Sequence, residues 1–222
     1  MLFDLRSRGR RRAVQVIYVG LAILMLGGLV LFGVGAGNNN GGLLNAFTNN
    51  GSSGGQSAVV NAQTKAALKA TEKNPKSTAA WSALVQARFT AAGEGNNFDS
   101  TTETYTKDGK KQLQAAANAW IRYLALTNNK PEIDLATLMA RAYAALEQYS
   151  NEASAWEYVA DANPKAASGY LCLAFSAYAA KQNRKGDLAS ATALALVPKL
   201  QKLQIKQELT ASKSSATYAQ EC

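Results

Sequence analysis

The sequence predicts an all-α protein: an N-terminal transmembrane helix, a flexible linker, then an α-solenoid of about three helix pairs closed by a C-terminal capping helix. Three observations lead there. The 222 residues are 47% hydrophobic, yet mean hydropathy is −0.16, because much of the apolar fraction is alanine, the residue that loses least on entering a helix. An uncharged apolar stretch follows Arg12. The chain has four prolines, Pro75, Pro131, Pro164 and Pro198, and the last three are almost evenly spaced, with a period of about 34 residues that marks stacked helix pairs.

The chain opens with a basic arm, residues 1–12, in which Arg6, Arg8, Arg10, Arg11 and Arg12 outweigh Asp4 and supply +4 of the net charge of +9. Residues 13–36 read AVQVIYVGLAILMLGGLVLFGVGA, and at about 1.5 Å per residue they reach the ~30 Å hydrocarbon thickness of a bilayer. The arginines before the span and the lack of any basic residue until Lys65 place the N-terminus in the cytoplasm and the rest outside. A single-pass protein of the cell membrane with an extracytoplasmic C-terminal domain is therefore expected. A competing reading is processing after Val34-Gly35-Ala36, against which the apolar run exceeds the roughly 7 to 15 residues of a signal core. Residues 37–57, GNNNGGLLNAFTNNGSSGGQS, hold too little apolar surface to order themselves and are expected to be a flexible tether.

The helical domain is expected at 58–213, with a tail at 214–222. Proline ends a helix because it lacks the N–H donor and clashes with the preceding turn, while its fixed φ suits the start of another. Around the prolines the signature residues recur. Trp81, Leu84 and Val85 follow Pro75, and Ala119 and Tyr123 precede Pro131. Met139, Ala140, Tyr143 and Trp156 precede Pro164; Tyr170, Leu173, Ala174 and Ala193 precede Pro198. This arrangement resembles the tetratricopeptide repeat, and in particular bacterial single-pass membrane-anchored members of that family. About half the signature positions match in each unit. Residues 57–75 look like the second helix of an incomplete unit. The first interval, from Pro75 to Pro131, exceeds one repeat by about 22 residues, so the first unit carries an insertion at 91–110. Disorder is the simpler expectation there, and a partner-contacting tip at Phe98 and Tyr105 the sharper one. After Pro198, Leu200, Leu203 and Ile205 among lysines and glutamines read as a helix capping the last apolar face.

The resemblance implies that the first helix of each unit lines a partner-binding groove. The groove positions are then Ser82, Gln86 and Phe89 in the first unit, Thr137 and Arg141 in the second, and Leu171, Phe175 and Tyr178 in the third. Phe175 and Tyr178 could equally be core residues against the end helix. The expected function is a membrane-anchored interaction scaffold holding a protein or peptide partner, associated with secretion or chaperoning. The alternative is a stable structural subunit of an envelope complex.

Composition bears on the remaining classes. With no histidine, Ser-His-Asp and Cys-His catalysis and every His-containing zinc site are excluded. No nucleophile with a base, paired carboxylates or phosphate loop is legible, so no enzyme activity, cofactor, metal or small-molecule substrate is expected. Away from the arm, the charge gives no nucleic-acid footprint. Cys172 and Cys222 form no framework: Cys172 reads as a small buried apolar residue, with a cross-link to Cys222 the lesser alternative.

Overall fold

Residues 54 to 222 are described by a computed structural model and are mostly helical. The expected basic arm (1–12), transmembrane helix (13–36) and most of the linker lie outside the described residues. Among the described residues no helix is long and apolar enough to cross a membrane.

Helix α1 (Gly54–Lys73) begins inside the expected linker, whose last residues form its first turn. N-terminal residues need no bond from their own N–H groups to join a helix that already propagates behind them. One narrow stripe of α1 is buried, Val60, Thr64, Ala67 and Thr71, which is the i, i+4, i+7 spacing of a single face. Thr64 Oγ1 donates to the Val60 carbonyl at 2.9 Å and lies 3.4 Å from the Ala87 carbonyl of the next helix. Pro75 stops α1, and Lys73 in its last turn faces the negative end of the helix dipole.

Helix α2 (Thr78–Ala92) starts from Ser77, whose hydroxyl accepts from Ala80 N at 3.2 Å, and it packs closely along α3 (Lys107–Leu126). The insertion between them is ordered, contrary to the expectation of disorder. A 3-10 turn (Gly95–Asn97) leads into a small antiparallel hairpin, β1 (Phe98–Asp99) and β2 (Thr104–Tyr105). Its two rings meet edge to face with centroids 5.2 Å apart, and Asp99 Oδ1 accepts from Thr101 N at 2.9 Å. The hairpin is fastened at its base. Asn97 Nδ2 donates to the Ala91 carbonyl at 2.7 Å, Thr106 N to the Asn97 carbonyl at 2.9 Å, and Thr106 Oγ1 to the Asn96 carbonyl at 3.0 Å. Gly109 in the first turn of α3 lies so close to the Asn97 backbone that any Cβ would collide with it. Polar composition suggested a loose loop, but these polar groups bond to one another and to the helix ends on either side.

Two further hairpins follow, α4 (Ile133–Ala145) with α5 (Tyr149–Ala162), and α6 (Ala167–Ala179) with α7 (Asn183–Leu196). The second pair maps onto the third by one constant step: position 133 becomes 167 and 145 becomes 179, as 149 becomes 183 and 162 becomes 196. Their turns repeat as well. Glu147 (φ 58°) and Lys181 (φ 61°) take the left-handed conformation; Gln148 N donates to the Tyr143 carbonyl and Gln182 N to the Ala177 carbonyl, both at 2.8 Å. Successive pairs are sewn together on the same side. Gln148 Nε2 donates to Gln114 Oε1 and Gln182 Nε2 to Ser150 Oγ, each at 2.8 Å. One apolar cluster runs through all three pairs, including Leu84, Val85, Leu113, Trp120, Leu135, Met139, Trp156 and Leu173, each large buried side chain contributing about 1.5 to 3 kcal/mol.

Helix α8 (Lys202–Ser212) packs on α6 and α7, but not by the leucines expected to cap the stack. Leu200 and Leu203 are 97% and 71% exposed, whereas Ile205, the third residue expected to cap, is half-buried against the core, and Leu209 and Ser212 are buried. The expected tail is not a free end. It carries α9 (Thr217–Gln220), which touches both α6 and α4.

The repeat also trades volume between partner helices. Any Cβ at Gly186 on α7 would meet Tyr178 Cε1 at 2.5 Å, so the tyrosine of α6 fills space that α7 vacates. One step earlier in the chain the same two positions are Ala144 and Glu152, the small residue now on the first helix and the large one on the second. Gly186→Ala should therefore destabilise by about 1 to 3 kcal/mol, read as the urea midpoint, and Gly186→Ala with Tyr178→Phe should recover none of it, because the clash is with the ring rather than the hydroxyl.

Candidate functional site

The positions assigned to the groove divide into two sets. Ser82 and Gln86 on α2 line an open cleft of about 440 Å³ with Tyr123, Thr127, Lys130 and Glu132. Asn128 and Asn129, in the turn that follows α3, both take positive φ (51° and 58°), since asparagine tolerates the left-handed region. Tyr123 Oη accepts from Glu132 N at 3.2 Å, which anchors Glu132 to the end of α3. Arg141 is exposed on α4, in a second cleft of about 550 Å³ with Tyr105, Lys110, Glu147, Gln220 and Cys222. Thus the insertion hairpin, the second pair and the C-terminal segment meet around one guanidinium. Lys110 Nζ stands 4.0 Å from Glu147 Oε1 across it.

The remaining positions are not free. Phe89 is half-buried against the core, and Thr137 directs its hydroxyl to the Ile133 carbonyl at 2.9 Å. Tyr178 belongs to the core, 2% exposed, so its groove assignment is corrected in favour of the alternative core reading: a phenol can reach inward past a neighbouring glycine, and Gly186 provides that space. Its hydroxyl donates to Asp187 Oδ1 at 2.8 Å and shares a hydrogen bond of 3.0 Å with Ser190 Oγ. Lys213 Nζ lies 5.1 Å from the ring centroid and 2.7 Å from Asp187 Oδ1. The lysine holds the Asp187 carboxyl below the usual range, with the phenol hydrogen bond assisting, and Asp187 in turn raises the lysine. Leu171 is half-buried, and Phe175 is covered by Tyr218 of α9, ring centroids 5.5 Å apart. The aromatic patch expected to be open is therefore partly covered by the chain itself, Phe175 staying half-buried.

Cys172 and Cys222 form a disulfide with Cα atoms 5.8 Å apart, which corrects the reading of Cys172 as a simple buried thiol. It ties the last residue described to the middle of α6. A sequence separation of 50 gave no sign of this, because the two sulfurs are brought together by the return of α9 over the first-helix face.

Two features carried no sequence signal. One is a cleft of about 810 Å³ lined by Glu157, Tyr170, Arg184, Lys185 and Leu188 among others, with Lys185 Nζ at 2.8 Å from Glu157 Oε2. The other is Glu152, fully buried. Its Oε1 accepts from Trp156 Nε1 at 3.3 Å, and its Oε2 has no hydrogen-bond partner among the described residues. Burial pushes this carboxyl up to about 8, the Trp156 hydrogen bond opposing only in part. A buried unpaired carboxylate is costly, so the neutral acid is the form the fold favours at pH 7. Among the described residues no group of three or more His, Cys, Asp or Glu is placed to hold a metal ion.

No family model, curated protein or solved structure matches the chain, so its relations are read from its own geometry.

Glu152 sets a pH dependence of defined sign. The folded state holds its proton up to about pH 8, while the unfolded chain releases it near 4.5. Between those values the native state binds more protons, so stability falls as pH rises, by at most about 1.4 kcal/mol per pH unit for one group. Glu152→Gln should remove that descent and leave the protein more stable than wild type at pH 8, as read by denaturant titrations at pH 5, 6.5 and 8. Equal slopes in the two proteins would place the carboxyl in contact with water.

A second measurement separates core from surface: Tyr178→Ala should cost about 3 to 5 kcal/mol, whereas Gln86→Ala should stay within about 0.5 kcal/mol.

Proposed function

We propose that the chain is a membrane-anchored interaction scaffold of the tetratricopeptide type, a short α-solenoid exposed outside the cytoplasm that holds a protein or peptide partner along its first-helix face. The observation that carries this reading is the constant step that maps both helices and the turn of the second pair onto those of the third. A period of about 34 residues, with α-helical hairpins of this length, is the spacing of that repeat class. The Trp81, Tyr143 and Tyr170 signature positions support it from the sequence side.

Partner contact is best supported at two clefts, one on α2 and one around Arg141 on α4. The Ser82–Gln86 cleft offers amide and hydroxyl groups, and Arg141 beside Tyr105 offers a cation and an aromatic ring. Arginine and tyrosine are the residue types that anchor interfaces, the one by forked hydrogen bonds to a carboxylate and the other by area at low entropic cost. An extracytoplasmic location is supported by the disulfide, since such bonds persist in oxidising compartments. The apolar run at 13–36 and the preceding arginines supply the tether and its direction. Chaperone-like or secretion-linked service of transient clients is the reading we favour; a permanent place in an envelope complex is the second.

A photo-crosslinking residue at position 86 or 141, introduced into the full-length protein in its host, should capture partner polypeptides, while the same residue at exposed Lys165 should not. Arg141→Glu should lower capture at position 86 by about tenfold or more, as expected for loss of an anchoring contact, with the denaturation midpoint unchanged. A single stoichiometric partner surviving purification in mild detergent would mark the structural subunit, and a spread of clients the transient scaffold. Trapping free thiols in intact cells should find Cys172 and Cys222 oxidised; quantitative alkylation without a reductant would overturn the extracytoplasmic assignment.

A further inference from the structure

The C-terminal segment lies where a partner would lie. Helix α9 spans from α6 to α4, the first helices of two successive pairs. It rests Tyr218 on Phe175 and buries Ala219 completely. Gln220 Nε2 donates to Tyr149 Oη at 3.2 Å, and Gln220, Glu221 and Cys222 line the cleft that holds Arg141. Phe175, a third-unit groove position, thus underlies this segment. We infer that residues 214–222 are a built-in occupant of the first-helix face, latched by the Cys172–Cys222 disulfide, and that opening the latch frees the face for a partner segment of the same chemistry: a helical turn with an aromatic residue, a small residue next to it, and an acidic end.

This inference rests on the reading of that face as the partner groove. What favours an occupant rather than a permanent part of the fold is how little holds it. A helix of a single turn lies far below the length that persists alone. None of the four ion pairs among the described residues involves 214–222. The last firm anchor before it is Lys213, bound to Asp187 and set against Tyr178. Beyond that point one ring contact, one small buried residue and one exposed side-chain hydrogen bond to the helical pairs remain, together with the covalent tie. The chemistry of release balances with a dithiol reductant. One thiolate attacks Sγ of Cys222, expelling the Cys172 thiolate; the second thiol of the reductant then displaces Cys222, so both cysteines leave as thiols and the reductant as a cyclic disulfide.

Hydrogen exchange of the full-length protein in detergent tests the latch without any partner. On adding dithiothreitol, amides of 217–220 should exchange at least tenfold faster, with α2 to α5 unchanged, and Cys222→Ser should show the fast pattern without reductant. Unchanged protection would show that the segment is held without the bond; loss of protection throughout would make the disulfide a general staple. Either result overturns the latch. Occupancy is tested with a synthetic peptide of residues 214–221 carrying a fluorophore. It should bind the Tyr218→Ala, Cys222→Ser double variant at least tenfold more tightly than the oxidised wild type. Equal binding, or none to either, would overturn the in-cis occupant. If exchange rises and capture at position 86 still fails, the latch stands and the partner reading falls.

Discussion

Between α4 and α5, and again between α6 and α7, the chain reverses in one short turn, and everything else in the row depends on that reversal being made the same way each time. A left-handed residue, Glu147 or Lys181, turns the backbone, and the glutamine after it bonds back to a carbonyl of the helix just ended. Neither left-handed residue is glycine, so each turn carries backbone strain that the surrounding hydrogen bonds must hold. The gain is register. Because each turn sets its second helix at the same phase against the first, the apolar stripes of successive pairs face one another and one cluster can run from Leu84 to Leu173. A lone hairpin could not bury such stripes.

With the backbone fixed in phase, side chains are free to exchange volume across it. The Tyr178 and Gly186 pair and the Ala144 and Glu152 pair fill corresponding places from opposite helices. The third pair uses the exchange to send a phenol to the junction with α7 and α8, where Asp187, Ser190 and Lys213 meet it. The second pair has a different neighbour, packing through α5 against α6 of the third pair. It places a carboxylic acid there instead, kept neutral by burial and held by Trp156. Of the corresponding positions Gly186 and Glu152, one therefore yields its space to a tyrosine and the other carries a proton-bearing core group.

How much of this could be read beforehand follows from the range over which each feature is determined. Helix pairing was legible because proline acts locally, on its own turn and the one before, so Pro131, Pro164 and Pro198 print the period directly into the sequence. The order of the insertion was not. Asn97, Thr106 and Gly109 look like loop residues, and only their mutual approach converts them into a fastening. Of the groove positions, Ser82 and Gln86 line a cleft that, among the described residues, no later segment enters, whereas the cleft of Arg141 is bordered by Gln220 and Cys222 of the returning C-terminal segment. Tyr178 was lost to the core through an absence, the missing side chain of Gly186, which no pattern of apolar residues announces. Phe175 and Cys172 were lost to a segment more than one repeat downstream, and a contact at that distance leaves no periodic trace.

The C-terminal end is thereby fixed twice by unlike means. At Lys213 the hold is electrostatic and aromatic, distributed over Asp187 and the Tyr178 ring, and it ends in a well-packed junction. At Cys222 it is a single covalent bond to α6. Between the two anchors only a short turn bears on the surface. Two anchors of different chemistry give two independent ways of failing: high salt weakens the first and thiol exchange opens the second. Only the second uncovers Phe175 and widens the Arg141 cleft while leaving α8 seated on α6 and α7. The packed face of α9 is slight, one buried alanine and one ring contact, so the covalent tie to α6 that follows it is the larger part of what holds the turn in place.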